Sequence, residues 1–233
     1  MERRRLIPLK DVAIVIPAYE AADTLAKVLS DWFRFGAVSY QIWVVDDGSP
    51  DGTGDAARCM GVGVLNHKKN RGKGAAHKTG FAAAIKAGYE WIMTIDADTQ
   101  HDVGEASRFL ALNPAEFDMA IGTRRHNMKG MPFDRWFINR LTSMVLSIFG
   151  AHKPITDSQC GYRLISAEVL RKVPLRTNHF DTESELVARA LRAGYRIAEV
   201  PITTLYTSPR SHINPFLDTM RFIRLCFRYL FWW

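Results

Sequence analysis

Trp91-Ile92-Met93-Thr94-Ile95-Asp96-Ala97-Asp98 is the stretch on which the reading of this chain turns. Its first five residues form the apolar run that a strand buried on both faces requires. Two acids follow at i and i+2. A strand carried on through them sets both carboxylates on one side, because side chains alternate with period two. Like charges held that close repel unless something positive lies between them. A hard divalent cation, Mg2+ or Mn2+, suits one or two carboxylates together with substrate phosphate oxygens. Open α/β sheets also bind ligands outside the carboxyl ends of their strands. The plainer reading is a solvated acidic turn, since Asp-x-Asp alone is common. The rest of the chain decides between them.

Around this stretch the first half alternates strand and helix. The stretches 12–16, 41–45 and 91–95 read as buried strands, with further strands over 62–65 and near 117–121. Leu25, Val28, Leu29 and Trp32 recur at helical spacing. A short helix is expected from Asp51 to Met60, an alanine-rich one over 74–87 closed by Gly88, and another over 103–112. Such alternation predicts one α/β domain with a largely parallel sheet and helices on both faces. The second half is less regular. Helices are expected over 133–149, 183–193 and 216–233, a strand over 161–165, and an extended segment over 196–206 in which Pro201 marks a sheet edge.

Composition sets the broad class. The chain has 233 residues, enough for one sizeable core, and a net charge of +7 that favours anionic partners such as phosphates, nucleotides or anionic lipid. Cys59, Cys160 and Cys226 show neither a disulfide framework nor metal-ligand spacing, which points to a reducing compartment. The basic start Met1-Glu2-Arg3-Arg4-Arg5 is not followed by the apolar stretch of a cleaved signal. No run reaches the roughly 18 apolar residues of a spanning helix. Gly72-Lys73-Gly74 is not a dinucleotide fingerprint, because His77 stands where the third glycine belongs. Nor is it a P-loop, because His67 stands where the first glycine belongs.

Polar clusters fall at several expected strand ends. They are Pro17-Ala18-Tyr19, Asp46-Asp47-Gly48-Ser49, Asn70-Arg71-Gly72-Lys73-Gly74 and Asp96-Ala97-Asp98-Thr99-Gln100-His101. In this order, and with Gly122-Thr123-Arg124, Asn139-Arg140, Asp157-Ser158-Gln159-Cys160-Gly161-Tyr162-Arg163 and Glu199-Val200-Pro201-Ile202 downstream, the chain resembles the family 2 glycosyltransferases of GT-A fold. The resemblance is strongest to the dolichol-phosphate (polyprenyl-phosphate) mannose synthase branch and spans residues 11–210. It implies a Rossmann-like GT-A domain over 1–210. Two departures stand out. Many relatives read Tyr-Asn-Glu where this chain has Tyr19-Glu20-Ala21, and the segment Pro209-Arg210-Ser211-His212 differs from the usual pattern.

The resemblance implies inverting transfer of mannose or glucose from a nucleotide-diphosphate sugar, GDP-mannose or UDP-glucose, to a polyprenyl phosphate, assisted by Mg2+ or Mn2+. Pro17, Tyr19 and Arg71 are expected to line the base and ribose pocket, with Asp46 or Asp47 contacting base or ribose. Asp96, Ala97 and Asp98 carry the diphosphate end, and Asp96, Asp98 and Gln100 are the expected metal ligands. Arg124, Arg140, Arg163 and Arg210 are the expected cradle for the acceptor phosphate, since planar guanidinium matches phosphate geometry. Asp98, Arg124 and Arg140 are the residues on which catalysis is expected to depend. An ionised phosphate acceptor needs no strong base. A hydroxyl acceptor would, and Glu183 or Glu185 would then be its source, unless they are simply acids favoured at a helix N-terminus.

Arg221, Arg224 and Arg228 make one stripe beside a broad aromatic face in 216–233, the pattern of a helix lying in the headgroup plane. Residues 211–233 are therefore expected to be a membrane-interface helix, placing the protein in the cytoplasm on the inner face of a membrane. A nucleotidyltransferase is disfavoured by the absence of a Gly-x-Gly-Thr-Arg stretch after the first strand. A basic non-enzymatic module for membrane or nucleic acid leaves four rim acids without a use, so no nucleic-acid partner is expected.

Overall fold

The computed structural model describes residues 6–124 and 155–203. Seven strands form one sheet in the order β3-β2-β1-β4-β6-β5-β7. The strands are β1 (Val12–Ala18), β2 (Ile42–Asp46), β3 (Gly63–Asn66), β4 (Trp91–Thr94), β5 (Met119–Thr123), β6 (Arg163–Ser166) and β7 (Ile197–Pro201). Strands β1 to β4 run parallel, with Ile14 beside Ile42 and Val15 beside Thr94. β6 alone is reversed, antiparallel to both β4 and β5, and β7 pairs parallel with β5. The mixed α/β sheet agrees with the expectation. The reversed β6 within it was not foreseen, because a four-residue strand bears no sign of its direction.

β1 explains why the core sits where it does. All seven of its residues are buried, as a central strand covered on both faces demands. Helix α1 (Ala22–Phe35) presses Leu25, Val28, Leu29 and Trp32 into that core. It stops where Gly36 takes a φ of 108°, a left-handed conformation that costs glycine little. Helix α2 (Thr53–Cys59) follows the β2 loop. Helix α3 (Lys73–Lys86) is rich in alanine and glycine for a packing reason as well as for propensity. A Cβ on Gly80 would come within 2.3 Å of Val15 Cγ1, so the helix lies directly on β1 and β2. Among the described residues three further helices follow: α4 (Ala106–Leu110), α5 (Ala167–Lys172) and α6 (Asp181–Arg192). α5 is too short for periodicity to reveal. β7 lies at the sheet edge, where Pro201 was expected.

Among the described residues no helix is long and apolar enough to cross a membrane. The expected helices over 133–149 and 216–233, together with Arg140 and Arg210, lie outside the described residues.

Candidate active site at the carboxyl rim of the sheet

Topology gathers the polar clusters at one rim. β1, β2, β3 and β4 all end there because they are parallel. β5 ends there too, and the reversed β6 begins there, with Arg163 opposite Thr94. Tyr19, Asp46 and Asp47, the 67–73 loop, 96–101, Arg124 and 157–161 are thus brought to the same edge.

The acid pair departs from its expected geometry. β4 ends at Thr94, and residues 97 and 98 form a turn in which Thr99 has a φ of 61°. A turn, not strand alternation, sets the relation of Asp96 to Asp98. The two carboxyls then meet different surroundings. Lys73 Nζ lies 2.7 Å from Asp96 Oδ1 and 3.0 Å from Glu183 Oε1. These are ion pairs without hydrogen-bond alignment. Burial works against ionising Asp96, but Lys73 beside it wins and holds the carboxyl near a pKa of about 2. The same pair outweighs burial at Lys73 and raises its pKa above the ordinary lysine value. Among the described residues Asp98 has no ion-pair partner. Burial, then the neighbouring Asp96, pushes it up to about 6, even though Oδ1 accepts the Gln100 N–H at 3.0 Å, and Lys73 lowers its pKa too weakly to offset the rest. Near neutral pH Asp98 is an unneutralised carboxylate on the rim. Ala97 between them is buried.

His101 sits behind the pair. It is buried, its Nδ1 has no partner among the described residues, and burial lowers its pKa to about 4 despite the pull of Asp96. In the sequence, its position directly after the acidic turn was the only available signal.

Asp46 and Asp47 organise the loops beside them. Asp46 Oδ1 accepts the Ser49 N–H at 2.9 Å. Asp47 accepts the N–H groups of Arg71 and Gly72 at 3.0 and 2.7 Å, and its Oδ1 is 2.5 Å from His67 Nδ1. Asp47 thereby fixes the course of the basic loop that opens α3. Pro17 is the penultimate residue of β1, Tyr19 follows at the rim, and Arg71 is exposed on the loop. Glu20 has a φ of 51°, and the neighbouring Ala21 N–H donates to Thr53 Oγ1 at 2.9 Å.

The four expected phosphate arginines separate. Arg124 reaches the rim at the end of β5. It pairs with Asp157 through two contacts, Nε to Oδ2 at 2.5 Å and Nη2 to Oδ1 at 2.7 Å. Arg163 is not part of a phosphate cradle in this structure. It is 1% exposed and donates to the carbonyls of Cys160, Glu183 and Ser158 at 2.7, 2.9 and 2.7 Å, tying the 157–161 loop to α6. Arg140 and Arg210 lie outside the described residues.

The two glutamates also differ. Glu185 is enclosed, accepting the N–H groups of Arg176 and Thr177, the Thr177 hydroxyl and Arg189 Nε. Glu183 faces Lys73.

A mixed sheet with acids, a basic loop and an arginine on its carboxyl rim defines a GT-A glycosyltransferase fold. The chain belongs to glycosyl transferase family 2, whose model matches residues 13–174. It is 32% identical over 208 residues to the polyprenol monophosphomannose synthase of Mycolicibacterium smegmatis, covering 84% of this chain and 78% of that protein. It is 33% identical over 204 residues to the undecaprenyl-phosphate mannosyltransferase of Micrococcus luteus, covering 82% of each. Among solved structures, glucosyl-3-phosphoglycerate synthase from Mycobacterium tuberculosis, crystallised with Mn2+, UDP and phosphoglyceric acid, shares the fold. Its TM-score is 0.69 at 18% identity, over 94% of this chain and 76% of that one.

Proposed function

We propose that this family 2 glycosyltransferase moves mannose or glucose from a nucleotide-diphosphate sugar to a polyprenyl phosphate, with inversion at the anomeric carbon. The observation that carries the reading is the rim itself, where the ends of parallel strands bring Asp96 and Asp98 together with Asp46, Asp47 and Arg124, in a chain whose relatives are named as polyprenyl-phosphate mannosyltransferases.

Pro17, Tyr19 and Arg71, with Asp46 or Asp47, form the base and ribose side. Asp96, Ala97 and Asp98 form the diphosphate side. The donor set suits Mg2+ or Mn2+: Asp98 and Asp96 offer hard carboxylate oxygens and Gln100 an amide oxygen. Among the described residues no group of three or more His, Cys, Asp or Glu converges, which fits an ion completed by diphosphate oxygens. When bound, such an ion supplies positive charge to offset that building on the departing diphosphate.

The acceptor phosphate has a second pKa of about 6, so its oxygen is ionised near neutrality. That oxygen bonds to the anomeric carbon as the bond to the nucleoside diphosphate breaks, and no protein base is required. The enclosed Glu185 and the lysine-paired Glu183 support a phosphate over a hydroxyl acceptor. Arg124 is the acceptor-side cation of the described residues, with Arg140 and Arg210 proposed beside it. Holding two anionic reactants together is the main demand on the protein.

A panel of nucleotide sugars incubated with polyprenyl phosphate and Mn2+ tests this. At least one hexose should partition into the organic phase as glycolipid. Transfer only to a hydroxyl acceptor, or no transfer from any donor, would end the reading.

A further inference from the structure

A small cavity lies where α3, β6 and α6 meet. Phe81 and Leu186 give it apolar walls, Arg163 and Thr182 border it, and His77 and Glu183 line it as well. Arg163 brings no spare charge, since its Nε, Nη1 and Nη2 each donate to a backbone carbonyl. His77 and Glu183 are different. They are only 4% and 6% exposed. Nε2 of the one and Oε1 of the other are buried with no hydrogen-bond partner among the described residues. The His77 ring packs edge-on against Phe81, 5.4 Å between centres, which offers its nitrogens nothing. Lys73 Nζ lies 3.0 Å from Glu183 Oε1, an ion pair without hydrogen-bond alignment. Two such atoms beside one apolar wall are costly unless each is paired. The cavity has room for about one water, and a buried water needs at least two polar partners.

We propose that one ordered water fills this cavity and joins His77 Nε2 to Glu183 Oε1, and that His77 is through it a positioning residue for Lys73. The water donates to the carboxylate. Its other contact suits either imidazole tautomer, because water both donates and accepts. Glu183 shares Lys73 Nζ with Asp96, at 3.0 and 2.7 Å. A Glu183 steadied by the water keeps Lys73 between the two acids, and so steadies Asp96 on the diphosphate side. That last step rests on the proposed reading of the rim; the water itself does not.

A high-resolution crystal structure of the full chain tests the site. One water peak should stand about 2.7–3.2 Å from both atoms. A dry cavity, or a direct contact between His77 and Glu183, overturns the proposal. Where crystals do not form, water-selective nuclear Overhauser spectra should show a long-lived water at the His77 ring protons, and no such signal overturns it equally. The positioning role is read from transfer kinetics. His77→Gln keeps a polar group near the place of Nε2 and should keep the wild-type KM for the nucleotide sugar. His77→Leu removes it and should raise that KM about 5-fold, with kcat within about twofold of wild type. A merely structural histidine predicts lower thermal stability in both variants and an unchanged KM, and that result overturns the positioning role. No transfer from any donor would end the proposed function and the positioning role with it, while the density still decides the water.

Discussion

Asp96 and Asp98 leave the same strand end, and their chemistry diverges because Lys73 forms an ion pair with Asp96 and only weakly favours the charge on Asp98. Burial raises the cost of charge at both, so the partner decides the outcome. The same arithmetic applies to His77, which is buried against Phe81, with Nε2 unpartnered among the described residues. Burial, aided by Lys73, lowers its pKa to about 3. Below pH 6.5 the unfolded chain takes up a proton that the folded chain refuses, so stability falls as pH drops from 6.5 toward 3. Between pH 6.5 and 5 this one group should cost about 2 kcal/mol. Urea unfolding at the two pH values checks this, with His77→Leu expected to shrink the difference by about 2 kcal/mol and the share of His101 to remain.

At the scale of elements, Glu20 before α1 holds a conformation its side chain disfavours, and Gly74 in the first turn of α3 leaves no room for a side chain. Glu20 occupies the left-handed region with a φ of 51°, where an L side chain costs about 1–2 kcal/mol. Asparagine tolerates that region better. Glu20→Asn should therefore raise stability by up to about 1 kcal/mol in a denaturant titration. Gly74 has the opposite constraint. Alanine there would drive Cβ into Thr182, and Gly74→Ala should destabilise by about 1–3 kcal/mol and lower the melting temperature. Legibility followed the same physics. The apolar runs of β1, β2 and β4 announced themselves, because strands at the centre of the sheet bury most of their side chains, β1 all seven. The amphipathic stripe of α1 was equally plain. The reversal of β6, the brief α5 and the turn under Asp98 were not, since each is decided by contacts with residues distant in the chain. Arg163 misled for the same reason: sequence shows an arginine beside a polar motif, and only the fold shows it wrapped in three carbonyls.

For the molecule as a whole, the parallel half of the sheet and the reversed β6 bring six separate segments to one rim, which is why ordered motifs far apart in sequence were readable as one site. The aromatic, arginine-striped segment 216–233 lies outside the described residues, and its expected role is to hold this rim near a lipid acceptor. Deleting 216–233 should reduce flotation with anionic liposomes, measured by the fraction recovered at the top of a density gradient. Unchanged recovery would remove that role. The proposed chemistry meets its most direct test at Asp98. Nucleoside diphosphates titrated calorimetrically into the wild-type chain should bind at least about 100-fold more tightly with Mn2+ than without, a gain in keeping with the several kcal/mol a bound cation supplies. Asp98→Ala, with native circular dichroism, should bind alike under both conditions. An Asp98→Ala protein that kept the full Mn2+-dependent gain would show that the diphosphate is not held through this carboxylate.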